Sequence, residues 1–242
     1  MDRSQIGLAV DNSPNHTSDI KQQNGWLLWL RWVVVSSVGG AAGWFVSAVI
    51  GAGTFGLGLL AAGAITGGIL SFAQGKIIAS YVQRWNREAF LGAWFVSGWG
   101  GGGSGFIIVL ITCFLFTFGP LSSIANLRLE GVLLWLLSYS IGSLVYAIIQ
   151  LIVLSLYMKN IIWWLPMTIV GWTLGGGVGL IVTANIIYAD SYPTGALSDQ
   201  HFLAFFVNGA LATLVAACVT GIGVAFRWHK HPIIREADSE DV

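Results

Sequence analysis

Charge is what this chain has least of. Lys, Arg, Asp and Glu make up 9% of its 242 residues, where a soluble domain carries about 25%. So few polar groups cannot cover a surface of that size, and a water-soluble globule is excluded. The 11 basic and 11 acidic residues cancel to a formal net charge of zero, which leaves no electrostatic footprint for nucleic acid. Two cysteines exclude a disulfide framework and a Cys-rich metal site. In their place stand 55% hydrophobic residues, 32 glycines and 12 tryptophans, a composition that takes lipid as its solvent.

Residues 1–25 are polar and rich in Asn, Ser, Asp and Gln, and they read as a disordered arm. The first apolar run begins only at Trp26, too late for a secretory signal. From there to residue 226 the chain is apolar in blocks, each long enough for the roughly 20 helical residues that cross about 30 Å of hydrocarbon. The blocks place membrane spans at about 27–50, 54–81, 89–118, 131–157, 161–187 and 201–226. A closed barrel needs segments of about ten residues with strict alternation; Leu27–Ile50 and Gly131–Tyr157 have no such period. The expected fold is an all-α, polytopic bundle of six transmembrane helices, because a helix satisfies its backbone hydrogen bonds within one continuous segment.

With six spans, Arg3, Lys21, Arg31, Lys76, Arg84, Arg87, Lys159, Arg227, Lys230 and Arg235 fall on one side and Arg128 alone on the other. Ten to one is a strong bias, and the positive-inside rule puts both termini in the cytoplasm. Residues 227–242 form a cytoplasmic tail, first basic and then acidic. Trp26, Trp29, Trp32, Trp85, Trp163, Trp164 and Trp228 fall near the cytoplasmic boundary, where the amphipathic indole is an interfacial anchor. Trp135 is placed to do the same at the opposite face.

The second and third spans echo the fourth and fifth. Gln74 is followed after a turn by Gly98-Trp99 and Gly102, and Gln150 after a turn by Gly171-Trp172 and Gly175. The two hairpins, about residues 67–106 and 142–179, run in the same direction, so they form a parallel repeat. This pattern resembles a group of multi-spanning bacterial membrane proteins, chiefly cyanobacterial, whose repeat carries a small residue, a Gln, a cytoplasmic turn and then Gly-Trp-x-x-Gly. The resemblance implies a bacterial inner (plasma) or thylakoid membrane and carries no activity with it. The first copy departs from the pattern, with Phe90 and Leu91 where the second has Trp163 and Trp164.

Glycine costs a soluble helix about 1 kcal/mol relative to Ala, yet here it recurs at spacings of four: Gly63/Gly67, Gly98/Gly102, Gly171/Gly175 and Gly175/Gly179. That spacing puts the glycines on one helix face, where they let neighbouring backbones approach. The run Gly100–Gly103 with Gly105 also offers a second reading, a third span broken near the middle of the membrane as in transporters.

Ionisable residues near the midplane would announce a proton-coupled or voltage-sensing mechanism, and the spans hold none. Their polar groups are Gln74, Gln150, Asn185 and Asn208. These amides either hydrogen-bond across helix interfaces or, with Trp99 and Trp172, face a shared cavity that orients a neutral lipid, quinone or pigment. Gly102-Gly103-Ser104-Gly105 is similar to the nucleophile motif of rhomboid intramembrane proteases, and with His201 at the start of the sixth span as its base it gives a remote alternative, an intramembrane serine protease. His229-Lys230-His231 beside Trp228 reads as a juxtamembrane basic patch. The residues point first to a non-enzymatic membrane subunit or scaffold without cofactor or metal, packed against lipid, a membrane-protein partner or a second copy. The alternative is a small channel or carrier for a neutral solute, lined by Gln74 and Gln150.

Overall fold

The computed structural model of the chain describes residues 24–53, 61–82, 86–118, 128–158, 161–189 and 199–228. They contain no strand and form helices α1 (Gly25–Gly53), α2 (Ala62–Ile78), α3 (Arg87–Phe118), α4 (Arg128–Tyr157), α5 (Trp164–Ala189) and α6 (Asp199–Trp228). Five of them, all but α2, are long and apolar enough to cross a membrane. The 17 residues of α2 span about 26 Å at 1.5 Å per residue, and a 3₁₀ turn over Ala79–Tyr81 extends them. Arg87, at the start of α3, donates its Nε–H to the carbonyl of Ala79 (3.1 Å), satisfying a group that the helix end would leave orphaned. Pro166 lies in the first turn of α5, where a missing N–H breaks no intrahelical bond.

Helix α3 runs without interruption through residues 98–106. A break at the glycine run is therefore not present. Ser104 sits inside that run and donates its hydroxyl to the carbonyl of Gly100 at 2.8 Å.

Among the described residues each helix packs against two others, in the order α1–α2–α3–α4–α5–α6 and back to α1. The bundle is a closed ring. Neighbours run antiparallel: Gly39 lies against Ala73 and Gly43 against Thr66, Gly67 against Gly98 and Gly63 against Gly102, Gly105 against Gly142 and Gly101 against Tyr146. The same order continues with Gly171 against Ala216 and Gly179 against Asn208, and closes with Gly40 against Thr213 and Gly221 against Trp32. The start of α1 and the end of α6 therefore share one end of the ring. Arg31, Lys76 and Arg87 sit at that end, called here the basic end.

Apolar side chains point outward as well as in. Leu27, Val38, Phe45, Val96, Ile111, Ile152, Val178 and Phe226 are among those exposed on the outer surface. The interior near the basic end is filled by Leu28, Trp32, Ile78, Phe90, Trp94, Leu154, Trp164 and Val224. Here the structure revises the tryptophan reading. Trp26 is 66% exposed, as an anchor would be, but Trp32 is 0%, Trp163 9% and Trp164 1% exposed, so these three are core residues. For Trp32 and Trp164 the phase of the helix, not the distance from its end, sets this direction; Trp163 lies in the turn that precedes α5.

Gly67 and Gly98 show how tightly the ring is drawn. A Cβ on Gly67 would meet the carbonyl oxygen of Gly98, and a Cβ on Gly98 the hydroxyl of Ser71. Overpacking of this kind costs about 1–3 kcal/mol, and a backbone carbonyl cannot swing away as a side chain can. Gly67→Val is expected to lower the thermal unfolding midpoint in detergent by several degrees. Gly100→Ala, whose added Cβ meets nothing within 4 Å, is expected to leave it unchanged or raise it slightly through the gain in helix propensity.

Candidate functional site

The inward faces of the helices carry three layers, set by position along each helix of the ring. On α4, Leu154 lies in the apolar plug, Gln150 one turn further, then Tyr146, Gly142 and Tyr139; on α2 the order is Ile78, Gln74, Leu70, Gly67 and Gly63. Residues four apart share a helix face, so these columns run straight up the interior from plug to floor to chamber.

The plug centres on three tryptophans from alternate helices. Trp164 of α5 meets Trp32 of α1 edge-on at 5.8 Å and Trp94 of α3 at 5.7 Å between ring centres. Each stands at the start of its helix, facing a neighbour that ends there. Trp32 donates its indole N–H to the hydroxyl of Thr220 (3.0 Å) and Trp164 to Gln150 Oε1 (3.1 Å). Among the described residues the Nε1 of Trp94 and the Oε1 of Gln74 have no hydrogen-bond partner. Sequence reasoning missed this trio. Its signal is a shared spacing, Trp32-x6-Gly39-x3-Gly43, Trp94-x6-Gly101-x3-Gly105 and Trp164-x6-Gly171-x3-Gly175.

The floor lies on this plug and is polar but uncharged. Gln150 donates to Tyr146 Oη (2.8 Å) and Ser71 Oγ (3.3 Å) while accepting from Trp164. Gln74 donates to Ser36 Oγ (3.1 Å). Together with Thr168, Trp172, Thr213 and Thr220 they enclose a cavity of about 10 Å³, close to the least that admits one water molecule. Above it a chamber of about 80 Å³ is lined by Trp44, Phe106, Tyr139, Tyr146 and Trp172 and by the glycine faces of α2, α3 and α4. Leu70, Tyr146 and Trp172 line both spaces, and neither is lined by a charged residue.

The structure thus brings Gln74, Gln150 and Trp172 together, and leaves the other sequence candidates elsewhere. Trp99 corrects the pairing of the two Gly-Trp motifs: it is 57% exposed on the outer surface, beside Gly68 and away from the cavity. Asn208 lies against Gly179 at the α5–α6 contact, and its Oδ1 has no hydrogen-bond partner among the described residues. The side chains of Asn185 and His201 lie outside the described residues, as do residues 229–242. Among the described residues no group of three His, Cys, Asp or Glu could hold a metal ion. Gly63, Gly102, Gly171 and Gly175 lie at helix contacts with Phe106, Gly67, Ala216 and Ala212.

No protein-family model, no curated protein and no solved structure matches the chain.

The two glutamines differ in what their loss would cost. An interhelical hydrogen bond inside a membrane protein is worth about 0.6–1.7 kcal/mol. Gln150→Leu removes three bonds and strands the indole of Trp164, so it is expected to lower the unfolding midpoint in detergent markedly. Gln74→Leu removes one bond and an acceptor that has no partner, and its effect in the same thermal scan should be less than half as large.

Proposed function

We propose that this protein is a non-enzymatic, multi-pass membrane protein whose ring of helices binds a small neutral solute and passes it across the bilayer, as a channel or carrier. One observation carries the reading: Ser36, Gln74, Gln150, Thr168, Thr213 and Thr220, from five of the helices, line an uncharged floor beneath an apolar chamber inside the ring. A charged substrate would need a compensating charge in such a medium. Neutral amides and hydroxyls offer donors and acceptors without that penalty.

In this reading all six helices cross the membrane, α2 included. The antiparallel order of neighbours supports it, and the ten-to-one placement of basic residues puts the basic end and both termini in the cytoplasm. The ring is read as three descending–ascending hairpins, α2–α3, α4–α5 and α6–α1, related by an axis along the membrane normal. The shared Trp-x6-Gly-x3-Gly spacing supports that parallel repeat and adds α6–α1 to it. A bacterial inner or thylakoid membrane follows from the resemblance in the repeated Gly-Trp-x-x-Gly hairpin. The tryptophan plug then closes the path on the cytoplasmic side, and the chamber lies nearer the opposite face.

The outer surface supports a second role, as a subunit or scaffold that packs against lipid, a partner or a second copy. Phe72, Phe95 and Trp99 form an exposed aromatic strip around Gly68 on α2 and α3, apart from the interior. A lipid, quinone or pigment large enough to exceed the 80 Å³ chamber would lie on this face.

Proteoliposomes separate the two roles. Stopped-flow light scattering is expected to show glycerol or urea entering vesicles several-fold faster with the protein than without it. Leu70→Phe, which fills the space where floor and chamber meet, should remove most of the gain. Permeabilities equal to those of empty vesicles for both solutes would leave the scaffold role in place of transport.

A further inference from the structure

Two polar atoms of floor residues have no hydrogen-bond partner among the described residues. Gln74 is 6% exposed and Thr168 1% exposed; Gln74 Oε1 and Thr168 Oγ1 are buried without a hydrogen-bond partner, and both residues line the same 10 Å³ space. An orphaned buried group of this kind costs about 1–3 kcal/mol, and two residues that carry one line the same space, so a ligand that partnered both would recover that cost. The chemistry of the pair is specific. An amide oxygen only accepts, whereas a threonine hydroxyl both donates and accepts. A group that partners both must donate to Gln74 and can accept from Thr168, in a space of about 10 Å³.

A hydroxyl meets these conditions. A carboxylate or a primary amide is too large for the space, and an ammonium group would bring a charge that no lining residue balances. Trp172 and Tyr146 border both this space and the chamber above it, so a molecule whose hydroxyl rests on the floor has its remaining atoms among aromatic rings and glycine faces. That chamber, about 80 Å³, is about half the 150 Å³ of an apolar cavity that takes benzene. It suits a fragment of a few carbons.

We infer that the ring binds a small neutral alcohol, its hydroxyl held between Gln74 Oε1 and Thr168 Oγ1 and its apolar part in the chamber lined by Trp44, Phe106 and Trp172. The assignment rests on the transport reading above and gives it a substrate class. It also gives Thr168, which the sequence did not single out, the role of a specificity residue. A site that hydrogen-bonds a hydroxyl rejects the analogue lacking it. A water molecule offers the same hydroxyl chemistry, so the test must separate water from alcohol.

The test uses the full chain in nanodiscs of deuterated lipid, with ligand-observed saturation-transfer NMR and two probes of similar size, 1-propanol and 1-chloropropane. Wild type is expected to bind 1-propanol saturably. Thr168→Val, close to isosteric with threonine, should weaken 1-propanol at least fivefold and leave 1-chloropropane unchanged. Gln74→Leu should act in the same direction and stands in if the valine variant fails to fold. If both probes bind wild type and neither variant shifts 1-propanol, the floor is a site for water alone; the hydroxyl assignment falls while the chamber still takes neutral solutes. If neither probe binds wild type saturably, the alcohol assignment and the solute-binding reading fall together.

Discussion

The ring depends on one seam, where the first helix meets the last. Helices adjacent in the chain are held near each other by their connections, whereas α1 and α6 meet across about 190 residues of chain, as the separation of Trp29 and Cys218 shows. Lipid gives little hydrophobic drive for such a contact, and directional bonds supply it. Trp29 donates to the carbonyl of Cys218, Trp32 to Thr220 and Trp44 to Thr213. Three indoles can reach because Gly209 and Gly221 stand beneath them; a Cβ on Gly209 would meet the ring of Trp44. Open this seam and the plug, the floor and the chamber all lose a wall.

Closing the ring sorts the side chains by size and polarity rather than by hydrophobicity alone. The outer surface carries large aliphatic and aromatic groups, which lipid solvates as readily as protein does. The interior takes what lipid cannot satisfy: Ser36, Ser71, Gln74, Gln150, Thr168, Thr213 and Thr220 are all buried. Some of these groups close on their own helix, as Thr220 does on Ala216 and Thr213 on Gly209. They still offer the hydroxyl oxygen to an indole from α1. That double use fixes the orientation of each hydroxyl without calling on a charge.

How much of this was legible depended on whether a property accumulates along the chain or turns around the helix. Apolar length accumulates, and the sequence spans at 89–118 and 131–157 lie within three residues of α3 and α4. Direction turns. Trp29 and Trp32 are three residues apart, yet one is half-buried and the other wholly buried; distance from the helix end could not separate anchor from plug. The same limit explains Trp99 and Trp172. Each follows a glycine in the same short motif, but one lies on the outer surface and the other against Tyr146, at 6.0 Å and edge-on. Trp94 was the recoverable miss, since its spacing to Gly101 and Gly105 matches that of Trp32 and Trp164 to their glycines.

The plug also shows why the floor is lopsided. Two of its three tryptophans bond a polar residue on a neighbouring helix, Trp32 to Thr220 and Trp164 to Gln150. Among the described residues Trp94 Nε1 has no such bond, and neither has Gln74 Oε1. Trp94 is held elsewhere, stacked on Phe90 at 5.8 Å, while the amide nitrogen of Gln74 is engaged by Ser36. The carbonyl of Gln74 is therefore released from the role its counterpart Gln150 fills. In two places the ring spends its acceptors on closing itself. At Gln74 it leaves one, on a residue that lines the same small space as Thr168, beneath a chamber of about 80 Å³.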